Sequence, residues 1–365
     1  MKANNLLLKK DEQAVLSLRS LYENYGYSQY KMNKFEAYDL YAKNKDFLVS
    51  DKVITFNDAD GKLMALKPDV TLSIIKNGVD GKEPIQKVYY DENVYRVPKG
   101  ASSFKEIMQV GLECIGEVDD YCVYEVLLLA IKSLALISED FVLDVSHVGV
   151  VAELLNSLSV SESDKKKIIN CIGEKNVHDL KTVCDDQRLI KLASTYGSLE
   201  SVLPVLTEIY NGELSNSAKL LVLVVKALEE AGYKNKVRID FSVLDDMNYY
   251  SGIVFKGFVD QIPQSILSGG QYDHLMKRLK RNSKAIGFAV YLDMLQQFIG
   301  ADCEYDVDTL IVYERGTPIG TVTEITDELI SQGKSVLARA SLPQQLKYRA
   351  LINLKKTGEK DETNA

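Results

Sequence analysis

An α+β fold is predicted by three features of this 365-residue sequence. Short apolar segments bounded by turn-forming residues cluster in 53–115 and return in 237–290. Between them, from about Val150 to Leu228, the pattern is almost entirely helical, punctuated by Gly and Asn. After residue 304 a strand–helix–strand order begins afresh, which sets off a small module.

Within Asp11–Tyr25, Val15, Leu16, Leu18, Leu21 and Tyr22 recur at helical spacing, and Gly26-Tyr27 ends that helix. Phe35–Tyr41 reads as a strand or short turn. Val53–Phe56 and Leu63–Leu66 are short strands around the hairpin turn Asp58-Ala59-Asp60-Gly61, and a helix follows from about Val70 to Lys76. Val88–Tyr90 and Asn93–Arg96 read as a strand pair, and Lys105–Ile115 as a further strand. Asp119–Ala135 is a helix with an acidic start, and Phe141–His147 is a strand. The helical stretch reads as an insertion at about 150–235. Val237–Leu244 resumes the sheet, then Ile253–Phe258, Gly269-Gly270 and Ala285–Val290, whose small residues suit close packing. In the last module Asp308–Tyr313 and Ser335–Leu337 are strands around a Gly320–Gln332 helix, Ala350–Leu354 adds one more, and the charged tail Lys355–Ala365 reads as disordered. The domains expected are 1–303 and 304–365.

Hydrophobic residues make up 46% of the chain and charged ones 26%, enough for a sizeable core. Asp plus Glu outnumber Lys plus Arg by 52 to 44, a net charge of −8 that argues against a broad nucleic-acid face. No apolar run reaches the roughly 20 residues that span a bilayer, so no membrane is expected. With no secretory signal, a cytoplasmic location is expected. Cys114, Cys122, Cys171, Cys184 and Cys303 show neither close pairs nor metal-ligand spacing with His147, His178 or His274. They read as reduced, buried thiols, and no metal is expected. The basic runs Lys165–Lys167 and Lys277–Arg281 read as solvated helix faces or subunit contacts.

Three separated stretches carry the candidate chemistry. They are Lys67-Pro68-Asp69-Val70-Thr71, Tyr95-Arg96 through Glu113, and Asn248-Tyr249-Tyr250 through Ser268-Gly269-Gly270-Gln271-Tyr272-Asp273. Asp69, Glu113 and Tyr250 each flank a strand in an apolar setting. Brought together they make a small acidic pocket with aromatic walls, suited to an ammonium or imidazole group. Gly269-Gly270 would let the backbone approach the ligand closely.

In order and spacing these stretches resemble the catalytic core of the class II aminoacyl-tRNA synthetases, specifically the histidyl type. Arg96 with Phe104–Glu113 is similar to motif 2, Leu244–Phe255 to the histidine-specific signature, and Leu267–Asp273 with Ala285–Leu295 to the glycine-rich strand and motif 3. The resemblance covers roughly residues 5 to 300. It implies a mixed, mainly antiparallel sheet flanked by helices, and a homodimer with motif 1, near Ala14–Asp39, at its interface. By position it implies that Asp69, Thr71 and Gln109 hold an α-amino group. Glu113 and Tyr250 would face an imidazole, and Tyr249 and Tyr272 would help line the pocket. Arg96 matches the arginine that meets the α-phosphate.

The departures decide what is expected of the site. Asp69 is one methylene shorter than the family's glutamate. Asp245 stands where the histidine signature has an arginine, and Met294 where motif 3 ends in one. The loop Val97–Ser103 is one residue short and lacks its Glu-Arg pair. Removing one pre-organised polar group from such a site typically costs roughly 3–4 kcal/mol of transition-state stabilisation, so adenylate formation is not expected. After Asp306 only about 60 residues remain, a truncated form of the anticodon-binding module. Such a sequence resembles the synthetase-like regulatory subunits of ATP phosphoribosyltransferase. That family implies a non-catalytic chain without cofactors, assembled with a short-form catalytic subunit in histidine biosynthesis and conferring feedback inhibition by histidine. tRNA is not an expected partner. The alternative is a histidyl-tRNA synthetase-like protein acting independently, as an amino-acid binding or transfer paralogue or a divergent synthetase.

Overall fold

The computed structural model describes residues 10–45, 48, 52–77, 84–97, 102–244, 249–299, 305–355, 357 and 360–364. The chain divides into two compact units, Met1–Phe298 and Ile299–Ala365. Residues 303 and 304, at the expected boundary, lie outside the described residues.

The first unit begins with α1 (Lys10–Asn24), closed by Gly26 at φ +81°, and the edge strand β1 (Ser28–Gln29). Next, β2 (Phe35–Ala37), β3 (Thr55–Asn57) and β4 (Leu63–Leu66) form a three-stranded antiparallel sheet, with α2 (Asp39–Ala42) after β2. The β3–β4 turn is closed by Asp58, whose Oδ1 accepts from the backbone N–H of Asp60 (3.0 Å) and Lys62 (2.9 Å). The short helix α3 (Thr71–Asn77) follows.

β5 (Ile85–Arg96) and β6 (Lys105–Gly116) pair antiparallel along their whole length, Ile85 opposite Gly116 and Arg96 opposite Lys105. The strand pair expected within 88–96 is therefore one continuous strand. Asp91-Glu92-Asn93 has turn composition, yet these carboxylates stay extended because other elements satisfy them. Gln29 Nε2 (2.9 Å) and Arg19 (3.5 Å) reach Asp91, and Lys67 Nζ reaches Glu92 (2.8 Å).

α4 (Asp120–Ile137) is capped by Asp119, whose carboxylate accepts from Cys122 N–H at 2.8 Å. Val126, Leu127, Leu129, Ala130, Ile131 and Leu134 are fully buried between the sheet and the neighbouring helices. A Cβ on Gly257 would lie 2.7 Å from Leu134 Cδ1, so the helix rests directly on the sheet there. β7 (Phe141–His147) leads into α5 (Val148–Asn156), α6 (Glu162–Gly173), α7 (Val177–Val183), α8 (Gln187–Ser194), β8 (Tyr196–Gly197), α9 (Leu199–Ile209) and α10 (Asn216–Leu228). His147 caps α5: its Nδ1 accepts from Gly149 N–H at 3.0 Å, and burial pushes its pKa down to about 4.

The chain returns to the sheet with β9 (Val237–Asp240), shorter than the expected 237–244 because Asp240 Oδ1 turns it by accepting from Ser242 N–H (2.9 Å) and Oγ (2.7 Å). β10 (Ile253–Val259), β11 (Leu267–Gln271), α11 (Asp273–Arg278), β12 (Lys284–Tyr291) and α12 (Leu292–Ile299) complete the unit. The nine-stranded sheet runs β1-β5-β6-β12-β11-β10-β7-β9-β8. It is antiparallel except at β1–β5 and β7–β9. Both edges are strands of two residues.

The second unit is β13 (Val307–Tyr313), α13 (Ile319–Ser331), β14 (Val336–Arg339), β15 (Tyr348–Leu354) and β16 (Lys360–Asn364), in sheet order β14-β13-β15-β16. Ile311, Ile325, Ile352 and Leu354 form its core. The tail expected to be disordered instead supplies β16, antiparallel to β15 from Ala350–Asn364 to Leu354–Lys360. Its charges suit an edge strand, and Asp361 pairs with Lys355 at 3.3 Å.

Two substitutions on and beside α4 measure this packing. Asp119→Ala should cost about 1 kcal/mol through removal of the cap, and Leu127→Ala about 2–5 kcal/mol through a cavity. Urea denaturation of each variant checks both values.

Candidate functional site

The sheet presents one face whose side chains follow from strand register. Glu113, Gly287, Gly270 and Val254 are paired in one row across β6, β12, β11 and β10; Gly111, Ala289, Ser268 and Lys256 form the next. Gln109 lies opposite Tyr291 in a third. Small residues thus form a floor. A Cβ on Gly287 would strike Glu113 Oε2, one on Gly270 would lie 2.7 Å from Tyr250 Cδ1, and one on Gly111 would lie 2.6 Å from Tyr90 Cζ.

Above this floor is a cavity of about 910 Å3. Every residue expected at the site lines it: Asp69, Thr71, Arg96, Gln109, Glu113, Tyr249, Tyr250 and Tyr272. Met294 lines it too, in the first turn of α12. Asp245 and Asn248, and the loop 98–101, lie outside the described residues. Tyr90, Lys256 and Tyr291 also line the cavity and were not expected from the sequence; Ser268, which opens the glycine-rich stretch, lines it as well. Tyr90 sits three alternations from Arg96 on β5, so an unbroken period of two through Asp91–Asn93 is the signal that points to it. Ser268 and Tyr291 join across the wall, Oγ to OH at 2.7 Å.

Glu113 is the centre of a hydrogen-bonded cluster in the cavity. Its Oε1 accepts from Thr71 Oγ1 at 2.7 Å, and its Oε2 accepts a short hydrogen bond from the Tyr272 hydroxyl. Burial pushes its pKa up to about 8, against the pull of the Tyr272 and Thr71 hydrogen bonds and with the help of the Asp69 charge. Asp69 is raised as well, chiefly by burial, opposed by the Leu72 and Thr71 N–H groups and by Arg96. Its Oδ1 accepts from Leu72 N–H at 2.8 Å, which ties it to the start of α3. Tyr272 is set at the β11–α11 corner by its N–H to Ala285 O at 3.0 Å. Tyr249 packs edge-on against Tyr250 (centroids 4.8 Å apart, 74°) and at 5.9 Å from Tyr272. Carboxyls among aromatic faces receive a small cation or imidazole by charge-assisted hydrogen bonds.

The cationic side chains among the described lining residues are Arg96, 7% exposed, and Lys256. Burial also raises the Asp293 carboxyl, with Arg96 and Lys105 opposing. Among the described residues no three His, Cys, Asp or Glu side chains gather as a metal site. No helix among them is long and apolar enough to cross a membrane.

A large, mainly antiparallel sheet with helices packed on it and a cavity on its face is the fold of the class II aminoacyl-tRNA synthetases. The chain belongs to the histidyl-tRNA synthetase family, whose sequence profile matches residues 7–295. It is similar to an ATP phosphoribosyltransferase regulatory subunit from Oceanobacillus iheyensis, 27% identical over 302 residues, which covers 80% of this chain and 74% of the relative. Among solved structures it resembles an ATP phosphoribosyltransferase regulatory subunit/histidyl-tRNA synthetase from Bacillus halodurans, with TM-score 0.74, 22% identity and 94% of each chain covered. A chain of the ATP phosphoribosyl transferase (HisG:HisZ) complex from Thermotoga maritima shares the fold at TM-score 0.61 and 20% identity, covering 77% of this chain and 96% of that one.

The raised Glu113 pKa fixes the sign of a pH dependence. From its ordinary 4.5 to about 8 the folded chain keeps a proton that the unfolded chain has released. This group's contribution to stability is therefore full below the lower value and is lost as pH rises through the upper one. Glu113→Gln cannot titrate. Its urea stability should fall less than the parent's between about pH 5 and about pH 8.

Proposed function

We propose that this chain is the non-catalytic regulatory subunit of ATP phosphoribosyltransferase, which opens histidine biosynthesis, and that it binds histidine in the cavity beside Glu113. The reading rests above all on the residues that line that cavity. The cavity keeps the carboxyls, hydroxyls and aromatic faces suited to a cationic amino acid, while Met294 stands where a synthetase places a phosphate-binding arginine. Asp69, Thr71 and Gln109 take the α-amino group. Glu113 and Tyr250 meet the imidazole, with Tyr249 and Tyr272 closing the wall.

A protonated Glu113 donates to a neutral imidazole nitrogen; ionised, it pairs with an imidazolium. Either state serves recognition. Transfer of an adenylyl group needs several positive groups aimed at the phosphates, and a thioether supplies none. The partner is a short-form catalytic subunit, in keeping with the names carried by the relatives. Histidine bound here shifts that subunit's activity through a coupling free energy between the two sites. The chain is also read as a homodimer.

A second reading, a synthetase-like protein acting independently, is favoured by the persistence of Arg96 in a cavity with room beyond an amino acid. Formation of phosphoribosyl-ATP by a short-form catalytic subunit, with and without this chain across a histidine titration, separates the two. Activation that histidine reverses is expected. No change in rate with a folded chain overturns the regulatory reading.

In the same assay Asp69→Asn removes the charge that meets the ammonium. A charge-assisted hydrogen bond of about 1.5–3 kcal/mol corresponds to a loss of histidine sensitivity of roughly ten- to a hundredfold. Activation by this variant should remain.

A further inference from the structure

Two residues before Asp69 lies a lysine whose side chain has no solvent exposure at all. Lys67 Nζ donates to Glu92 Oε2 at 2.8 Å, and the Glu92 side chain is only 16% exposed. Burial lowers the pKa of the ammonium, and Glu92 opposes this in part. Such a pair is a poor source of stability, because apolar groups of similar volume commonly serve as well or better. Its value lies in where it holds the chain.

Lys67 is fastened in three directions. Its N–H donates to Lys34 O at 3.0 Å, its carbonyl accepts from Tyr95 N–H at 2.9 Å, and its ammonium reaches back to β5 at Glu92. The other oxygen of Glu92 accepts from Met32 N–H at 3.3 Å. One residue therefore joins the 32–34 segment, the end of β4 and the strand that carries Arg96. Downstream the chain is rigid: Pro68 restricts φ, Asp69 is bonded to Leu72 N–H, and Thr71 is bonded to Glu113. Asp69 and Arg96 belong to separate elements of the cavity wall, and Lys67 gives them a common footing.

We propose that Lys67, through its buried pair with Glu92, is a positioning residue that sets the 67–71 loop against the end of β5, so that Asp69 and Thr71 meet the ligand in register with Arg96. The proposal rests on the histidine-pocket reading for its binding consequence, though not for its structural one. Ligand groups held to within about half an ångström depend on such support.

The test compares the full-length parent with Lys67→Met/Glu92→Gln, in which neither buried charge is left unpaired, and with Lys67→Arg, which keeps charge and donor. Calorimetric histidine affinity, the thermal midpoint and amide hydrogen exchange are measured for each. The double variant should melt close to the parent, bind histidine at least roughly tenfold more weakly, and exchange faster only in 67–72 and 94–96. Lys67→Arg should recover most of the affinity. Unchanged affinity and unchanged local exchange in the double variant would overturn the proposal. So would exchange raised across the whole chain together with a lower midpoint, which marks a role in stability alone. If the parent itself binds no histidine, the pocket reading fails, and the exchange pattern alone decides the role of Lys67.

Discussion

The site depends on the way one carboxyl group is enclosed. Glu113 is buried in the middle of the sheet, with Thr71 of α3 on one oxygen and Tyr272 of the β11–α11 corner on the other. Gly287 leaves the space that the carboxyl occupies. An uncompensated carboxylate at that depth is expensive, so each of these elements must arrive in place for the others to be tolerable. The hydroxyl donors lower that cost without removing it, which is why the group retains its proton near neutrality. A carboxyl poised in this way changes its charge readily when a basic ligand arrives. That property serves recognition well.

Around it, shape is assigned by residue size. The rows Glu113–Gly287–Gly270 and Gly111–Ala289–Ser268 keep the floor low, while tyrosines from four separate segments line the cavity. A floor of glycines costs strand propensity, and the long β5–β6 pairing and the α4 face offset that loss by burying a continuous apolar layer. The lining then combines groups of both signs. Carboxyls and hydroxyls gather around Glu113, and Arg96 and Lys256 also line the cavity.

Much of this was legible in the sequence where a pattern is local. The hairpin around Asp58–Gly61, the capped apolar helix α4 and the strand Phe141–His147 follow from turn chemistry and periodicity within a short window. The eight residues named for the pocket all line the cavity, because their motifs keep order and spacing along the chain. What escaped depends on partners distant in sequence. Asp91-Glu92-Asn93 looks like a turn until Arg19, Gln29 and Lys67 are seen to satisfy its carboxylates, and missing that also hid Tyr90. Lys360–Asn364 looks like a solvated tail until β15 offers it an open ladder. Lys67 gives no sign of its burial, because lysine is normally among the most exposed residues.

The rims of the nine-stranded sheet carry a consequence for how this protein meets others. Each rim is a strand of only two residues, Ser28–Gln29 on one side and Tyr196–Gly197 on the other. Those two strands themselves offer a foreign strand little backbone to pair with, and next to the first of them the outer side of β5 is engaged by Tyr30 N–H on Tyr89 O and by Tyr95 N–H on Lys67 O. A neighbour approaching either of these two short strands meets mainly side chains, which can be selective in a way that bare backbone cannot.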